Sequence, residues 1–279
     1  MKIVFVVLHY CVARVTEACV QSLLSLEGDK NIVVVDNASP DGSGLYLKKL
    51  YEKEKLVQVL LNKKNVGFAD GNNLGYRFAK KELHADTIVV LNNDTLIKDN
   101  CFLNKLFEDD SLLDYHIIAP DIITFKGIHQ NPYKMKGVTK GEEIKLRNRK
   151  KLSILFYSLP FLYKLKSHEV VNREGPFIDK RIEDVVPHGA AVIFMNKWVE
   201  REEFAFYPGT FMYYEEDLLY VYAKSKDYKT IYVPSLQITH LEDMSTNSTQ
   251  KNIRKKMLFQ NKQKAHSLDV IINYMKGQE

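Results

Sequence analysis

The chain has 279 residues, 45% hydrophobic and 27% charged, with a formal charge of +5. This is ordinary for a globular protein with a real core, built as one elaborated α/β domain or two closely fused halves. The charge excess is too mild to imply nucleic acid, but it suits a protein that handles phosphates or sits near an anionic membrane. Cys11, Cys19 and Cys101 have neither metal spacing nor a paired framework and read as reduced cytosolic thiols. Met1 to Leu8 is too short an apolar start for a signal peptide. No stretch approaches the roughly 20 apolar residues of a membrane span. The expected location is the cytoplasm, with a peripheral position on the inner face of the plasma membrane as the variant.

Lys2 to Leu8 is a continuous apolar run, the pattern of a strand buried on both faces. Helical spacing follows over Thr16–Leu26, with a breaker at Gly28. Asn31–Val35 predicts a second buried strand, stopped by the turn-rich Asp36-Asn37-Ala38-Ser39-Pro40-Asp41-Gly42. Leu45–Lys53 predicts a helix, Val57–Leu61 a third strand, Asn72–Lys81 a helix after a Gly-rich loop, and Thr87–Leu91 a fourth strand. Strands alternating with helices imply right-handed crossovers and a mainly parallel central sheet with flanking helices. Ligands of such sheets bind beyond the carboxyl ends of the strands, where the polar turns lie. Lys126–Lys151 is polar, basic and rich in turn formers. Leu152–Leu165 is apolar and aromatic between lysines, and Pro160 favours two short helices there. Ala190–Met195 predicts a strand, Glu216–Lys226 a helix, Thr230–Val233 a strand and Asn252–Met275 a helical tail.

Five segments carry candidate chemistry. Asp36, ending a buried strand, faces the crevice, where a carboxylate accepts hydrogen bonds from a ribose or a base; taken alone, a helix-capping or turn-stabilising role is the commoner one. Asn65 to Gly75 combines close backbone approach with the free N–H groups of the following helix, but it lacks the dinucleotide fingerprint and a Walker lysine. Asn92-Asn93-Asp94-Thr95 places one carboxylate just past a strand, where it holds a divalent cation or caps a helix. Glu215-Glu216-Asp217 opens a helix after an aromatic run, a setting that suits the macrodipole and also tunes a general base. His240 is the fifth.

In this order the segments resemble family 2 glycosyltransferases of the GT-A nucleotide-diphospho-sugar transferase fold, notably rhamnosyltransferase-like members of polysaccharide biosynthesis. The match runs through a first strand ending His9-Tyr10, Val-Asp-Asn-Ala-Ser, Asn-x-Gly-Phe-Ala-x-Gly-Asn-Asn-x-Gly, Leu-Asn-Asn-Asp-Thr, Gly189-Ala190-Ala191, the aromatic-acidic motif and the late histidine. The resemblance implies a nucleotide-sugar half over 1–125, an acceptor-binding and catalytic half of the same domain over 126–250, and a helical tail over 251–279. It implies that His9, Tyr10, Asp36, Asn37, Asn65, Gly67, Asn72, Asn92 and Asn93 line the donor pocket, Asp36 on the base or ribose. The family's Asp-x-Asp has Asn92 in its first place, so Asp94 carries most of the Mg²⁺ or Mn²⁺ binding, with His240 as a metal or phosphate ligand. Counting back without a gap from Lys226-Asp227-Tyr228, which resembles the family's Ala-Gly-Tyr, puts Glu216 at the base position with Asp217 as competitor.

The implied activity is inverting hexosyl or deoxyhexosyl transfer from a UDP- or dTDP-sugar to a glycan or lipid-linked saccharide in capsule, exopolysaccharide or cell-wall synthesis. No nucleic-acid partner is implied. A homo-oligomer and a membrane contact through 152–165 are both compatible with the sequence. Asn92 keeps open a catalytically weak or inactive nucleotide-sugar-binding relative. A nucleotidyltransferase predicts a Gly- and basic-rich loop after the first strand, where His9-Tyr10-Cys11-Val12 stands instead.

Overall fold

The structure, a computed structural model, describes residues 1–159, 177–241 and 253–278. Strands β1 (Ile3–His9), β2 (Lys30–Asp36), β3 (Val57–Leu61) and β4 (Thr87–Asn92) form a parallel block in the order β3-β2-β1-β4. Their connections carry helices α1 (Ala13–Leu24), α2 (Ser43–Leu50) and α3 (Gly67–Lys81). The strands are unbroken apolar runs because both faces are covered. Ile3, Phe5 and Val7 of β1 join the core containing Val20 and Leu23 of α1, while Val4 and Val6 join that containing Tyr76 and Ala79 of α3. Each such side chain contributes roughly 1.5–3 kcal/mol by leaving water.

The short β5 (Thr95–Leu96), helix α4 (Phe102–Phe107), a 3₁₀ turn and β6 (Ile117–Thr124) follow. Neither α4 nor β6 is among the elements expected from the sequence. Next come α5 (Lys140–Ser158), β7 (Ile182–Glu183), β8 (Ala191–Phe194), α6 (Asn196–Arg201), α7 (Glu215–Ser225), β9 (Thr230–His240) and α8 (Ile253–Lys276). Strand β8 lies antiparallel between β4 and β6, β9 runs parallel to β6, and β5 and β7 pair antiparallel with β9. The nine strands among the described residues therefore form one mixed sheet whose parallel character is strongest in its first half.

Four expectations are corrected. The helix expected from Asn72 starts at Gly67, so the Gly-rich loop is mostly helix. Gly75 is required by packing: a Cβ there would lie 2.4 Å from Val6 Cγ1 and 2.8 Å from Val35 Cγ2, so the helix rests directly on β1 and β2. Within the stretch read as turn-rich, α5 begins at Lys140, nucleated by a capping box in which Thr139 and Glu142 satisfy each other's backbone N–H. The two short helices expected over Leu152–Leu165 are, up to Ser158, the end of this 19-residue helix. Leu159 is extended (φ −98°, ψ 112°), as a residue before proline is constrained to be. The remainder of that segment, from Pro160, lies outside the described residues. The strand expected over Thr230–Val233 continues to His240, across a register shift opposite Pro120 and Asp121.

Candidate active site

The turns after β1 and β2 are held in costly conformations. Cys11, Val12 and Ala38 have φ of 60°, 57° and 60°, a left-handed region that costs non-glycine residues about 1–3 kcal/mol each. Beneath them lies an ordered chain of hydrogen bonds. Asn93 Nδ2 donates to Thr16 Oγ1 (3.0 Å), which lies 2.6 Å from His9 Nδ1; His9 Nε2 lies 2.8 Å from Ser43 Oγ, and Ser43 donates onward to Asp41. Because the Ser43 hydroxyl is given to Asp41, it accepts from His9, which fixes the Nε2–H tautomer. Burial pushes the His9 pKa below its ordinary value, against the pull of the Asp36 and Asp41 carboxylates. His9 and Asn93 thus tie the end of β4 to the turn after β2.

Asp36, almost wholly buried, accepts from Ser39 N (3.2 Å) and Ser39 Oγ (2.5 Å). Its second oxygen abuts α2: a Cβ on Gly44 would come within 2.2 Å of it. Asn37 is saturated. Its Nδ2 donates to Asn65 Oδ1 (3.1 Å) and Gly67 O (2.9 Å), and its Oδ1 accepts from Asn62 Nδ2 and Val66 N (both 3.1 Å). Asn65 Oδ1 also takes Gly67 N (2.9 Å). These two asparagines shape the loop before α3; Tyr10, which follows β1, is half-buried. Gly67 (φ 88°) stands so close to Phe211 that a Cβ would lie 2.3 Å from Phe211 O, which accepts from Phe68 N at 2.7 Å. One turn on, Asn72 donates to Phe68 O (3.0 Å) and keeps a buried Oδ1 without a hydrogen-bond partner. Its neighbour Asn73, which the sequence reading did not single out, binds Phe206 O (2.7 Å), Phe206 N (3.0 Å) and Ala205 N (2.9 Å).

At the end of β4, Asn92 N donates to Ala190 O (2.9 Å). Asp94 is buried and lies beside His240, because β5 pairs Thr95 with His240. Asp94 Oδ1 has no hydrogen-bond donor and sits 3.3 Å from His240 Nε2. The other imidazole nitrogen, Nδ1, is 2.7 Å from Gln130 Oε1. With Nδ1–H donated to Gln130, the Nε2 lone pair and an orphaned carboxylate oxygen face each other, an arrangement that calls for a cation. The described residues contain no group of three or more His, Cys, Asp and Glu suited to a metal. Two protein ligands fit a hard cation held chiefly through substrate phosphates. Gln130 carried no sequence signal; its role depends on the pairing of strands distant in the chain.

The acidic motif is aimed by strain. Tyr213 (φ 76°) and Tyr214 (φ 66°) are both left-handed and turn the chain into α7. The three acids then diverge. Glu215 is buried with one oxygen unpartnered, and burial together with Glu216 pushes its carboxyl above the ordinary range. Asp217, wholly buried, is clamped by Lys134 Nζ at 2.6 and 2.7 Å. Glu216 is half-buried, and its Oε1 accepts from Gly189 N at 3.2 Å; a Cβ on Gly189 would lie 2.5 Å from that oxygen. Burial pushes the Glu216 carboxyl up as well, with Asp217 adding to the rise. At the far end of α7, Asp227 (φ 55°) occupies the left-handed position of a Schellman cap, with Tyr228 N on Ala223 O at 2.9 Å. That conformation is one that glycine adopts without strain.

Comparison with known proteins fits this picture. The chain shares 29% identity over 117 residues with the low-salt glycan biosynthesis hexosyltransferase of Haloferax volcanii, covering 42% of this chain and 36% of that protein. Its fold is similar to GalNAc-T7 solved with UDP, GalNAc and Mn²⁺ (TM-score 0.56, 13% identity, 86% of this chain and 44% of the other). It is also similar to S. aureus TarS 1–349 in complex with UDP-GlcNAc (TM-score 0.55, 14% identity, 100% and 72%). The chain thus spans well under two thirds of the hexosyltransferase and of GalNAc-T7. A family model described as glycosyl transferase family 2 matches residues 4–167. The chain belongs to that family.

Proposed function

We propose that this protein is an inverting, divalent-metal-dependent glycosyltransferase. It would take a hexose or deoxyhexose from a UDP- or dTDP-sugar and add it to a glycan or lipid-linked saccharide of polysaccharide biosynthesis. The observation that carries the reading is the Asp94–His240 pair, whose facing Oδ1 and Nε2 lie 3.3 Å apart in the crevice beyond the strand ends. The Mn²⁺ and UDP of GalNAc-T7 and the UDP-GlcNAc of TarS support it. Mg²⁺ or Mn²⁺ held by Asp94 and His240 would neutralise the departing diphosphate. Asp36 and the loop shaped by Asn37, Asn65 and Gly67 would seat the nucleoside.

In this reading Glu216 is the base. Its Oε1 is engaged by Gly189 N, which leaves Oε2 for the acceptor hydroxyl. As the acceptor oxygen bonds to the anomeric carbon, the bond from that carbon to the phosphate oxygen breaks. The hydroxyl proton passes to Glu216, and the nucleoside diphosphate leaves with its electron pair. Asp217 is a structural partner of Lys134. The test is metal-dependent transfer or hydrolysis of UDP- and dTDP-sugars by the purified chain. Asn92, an amide where the family pattern has an acid, favours the second reading of a weak or inactive binder. That reading is met if the chain binds UDP with Mn²⁺ but never turns over donor.

Membrane contact belongs to the same proposal. No described helix is long and apolar enough to cross a membrane. Leu152, Leu155 and Leu159 at the end of α5, with Ile253 and Phe259 of α8, are exposed beside Lys151, Lys255 and Lys256. Such a surface suits the headgroup region of an anionic bilayer. Flotation with anionic liposomes, lost in Leu152→Glu with Leu155→Glu, tests it; absence of binding by folded wild type refutes it.

A further inference from the structure

The segment from Lys134 to Val138 and the first turns of α5 wall a groove of about 570 Å³, lined among others by Lys136, Glu142, Glu143, Lys145 and Arg149. Its charges are not mutually neutralised. Lys134 is taken by Asp217, and Glu142 is taken by Thr139, whose N and Oγ1 each donate to it at 2.8 Å. Lys136, Lys145 and Arg149 are exposed and have no acidic partner among the described residues. At the base of the groove Glu143 is only 1% exposed, and its Oε2 has no hydrogen-bond partner. A buried, unpaired carboxyl oxygen is costly unless a ligand completes it.

The groove also lies against the helix that carries the candidate base. Lys134 on its wall grips Asp217, the residue after Glu216. Gly137 is pressed onto Tyr220 of α7, so that a Cβ there would fall 1.9 Å from the Tyr220 ring. The wall of the groove therefore packs on the first turns of α7, the helix that carries Glu216.

We propose that this groove binds the phosphate-bearing portion of the acceptor, with Lys136, Lys145 and Arg149 on the phosphate and the Glu143 carboxyl on a saccharide hydroxyl. The proposal rests on the glycosyltransferase reading above and deepens it: the acceptor is an anionic, phosphorylated saccharide. Lysine and arginine without carboxylate partners among the described residues are matched to phosphate oxygens, whereas a neutral glycan would bring them no opposite charge. Burial pushes the Glu143 carboxyl up to about 7, with Asp217 adding to the rise, so near neutral pH it can donate as well as accept a hydrogen bond.

The experiment measures binding of three probes to the full chain: a hexose 6-phosphate, a short-chain prenyl-diphosphate-linked hexose, and the unphosphorylated hexose. The expected result is that at least one phosphorylated probe binds about tenfold or more tightly than the neutral hexose. Lys136→Glu with Lys145→Glu and Arg149→Glu should erase that preference, consistent with charge-assisted hydrogen bonds. Preference for the prenyl diphosphate assigns the phosphate to a lipid carrier; preference for the hexose phosphate assigns it to the glycan. If the triple variant does not fold, Lys145→Ala and Arg149→Ala singly, with a salt titration of wild type, read the same effect. Equal affinity for neutral and phosphorylated probes overturns the proposal. A UDP titration of wild type is run alongside: absent nucleotide binding counts against the donor reading, while the probe affinities judge the groove independently.

Discussion

Asp94 Oδ1 lies 3.3 Å from His240 Nε2, although the two residues come from opposite halves of the chain. The contact exists because β5 pairs with the end of β9. It is set further by Gln130, whose amide oxygen is 2.7 Å from the other imidazole nitrogen. Asp94→Ala should therefore abolish the Mn²⁺-dependent part of UDP binding in calorimetry while leaving the melting curve cooperative. Gln130→Ala, one shell removed, should weaken it by about 10- to 100-fold, the usual cost of losing a partner that orients a ligand histidine. Unchanged affinity in Asp94→Ala would sink the assignment.

Glu216 and Asp217 are adjacent but should fail in different ways. Glu216→Gln is expected to lower turnover by about 10²–10⁴-fold with UDP affinity retained. In wild type the acidic limb of the turnover profile should lie above the ordinary carboxylate range, with turnover rising as pH rises, because burial raises this carboxyl and the base acts only when deprotonated. Asp217→Asn instead breaks a buried pair with Lys134 and should cost on the order of 3 kcal/mol of stability. A dead but fully stable Asp217→Asn would reverse the two roles.

Glu143 makes stability depend on pH in a predictable direction. Its folded pKa is raised from 4.5 to about 7, so the native state holds this proton more tightly than the unfolded chain. The contribution is fully present below about 4.5 and is lost as pH rises through about 7, a swing on the order of 3 kcal/mol. Denaturant titrations of wild type and Glu143→Gln from pH 4 to 8.5 should converge at the acid end and separate at the alkaline end, with the variant the more stable there. Parallel curves across the range would refute it.

Gly67→Ala should damage both stability and donor binding. The residue sits at φ 88°, and the new methyl would meet Phe211 O at 2.3 Å. The left-handed backbone alone costs about 1–2 kcal/mol for a non-glycine residue. Relief of the clash must move the loop before α3 away from the segment that enters α7. A lowered melting temperature with weaker UDP binding is expected, and an alanine variant that matches wild type in both would contradict the close approach.

The parallel block of the fold was legible because its strands are apolar on both faces, as the split of β1 between two cores demonstrates. Helix α3 was misread because Gly71 and Gly75 look like loop residues, whereas they are small so that a helix can rest on β1 and β2. Helix α5 was missed because its polar surface lacks a clean apolar stripe, although Thr139 and Glu142 announced its start. The extent of β9 was hidden by Pro234 and Ser235 near its register shift. Of the candidate site residues, Asp94, Glu216 and His240 carry a signal in residue type and order. Gln130 and Lys134 do not, since each acquires its role only from a neighbour remote in sequence.

The interleaving of the sheet bears on how this chain could be divided. Strand β8, which follows the second set of helices, is inserted between β4 and β6 and closes the hydrogen-bonding edge of β4. A fragment ending near residue 125 would retain the turns after β1, β2 and β4, yet it would leave unpaired the edge of β4 that β8 covers, where Ile88, Val89, Val90 and Leu91 are all apolar. Such an edge recruits other strands, so the first half of the sheet taken by itself would be prone to associate with further chains.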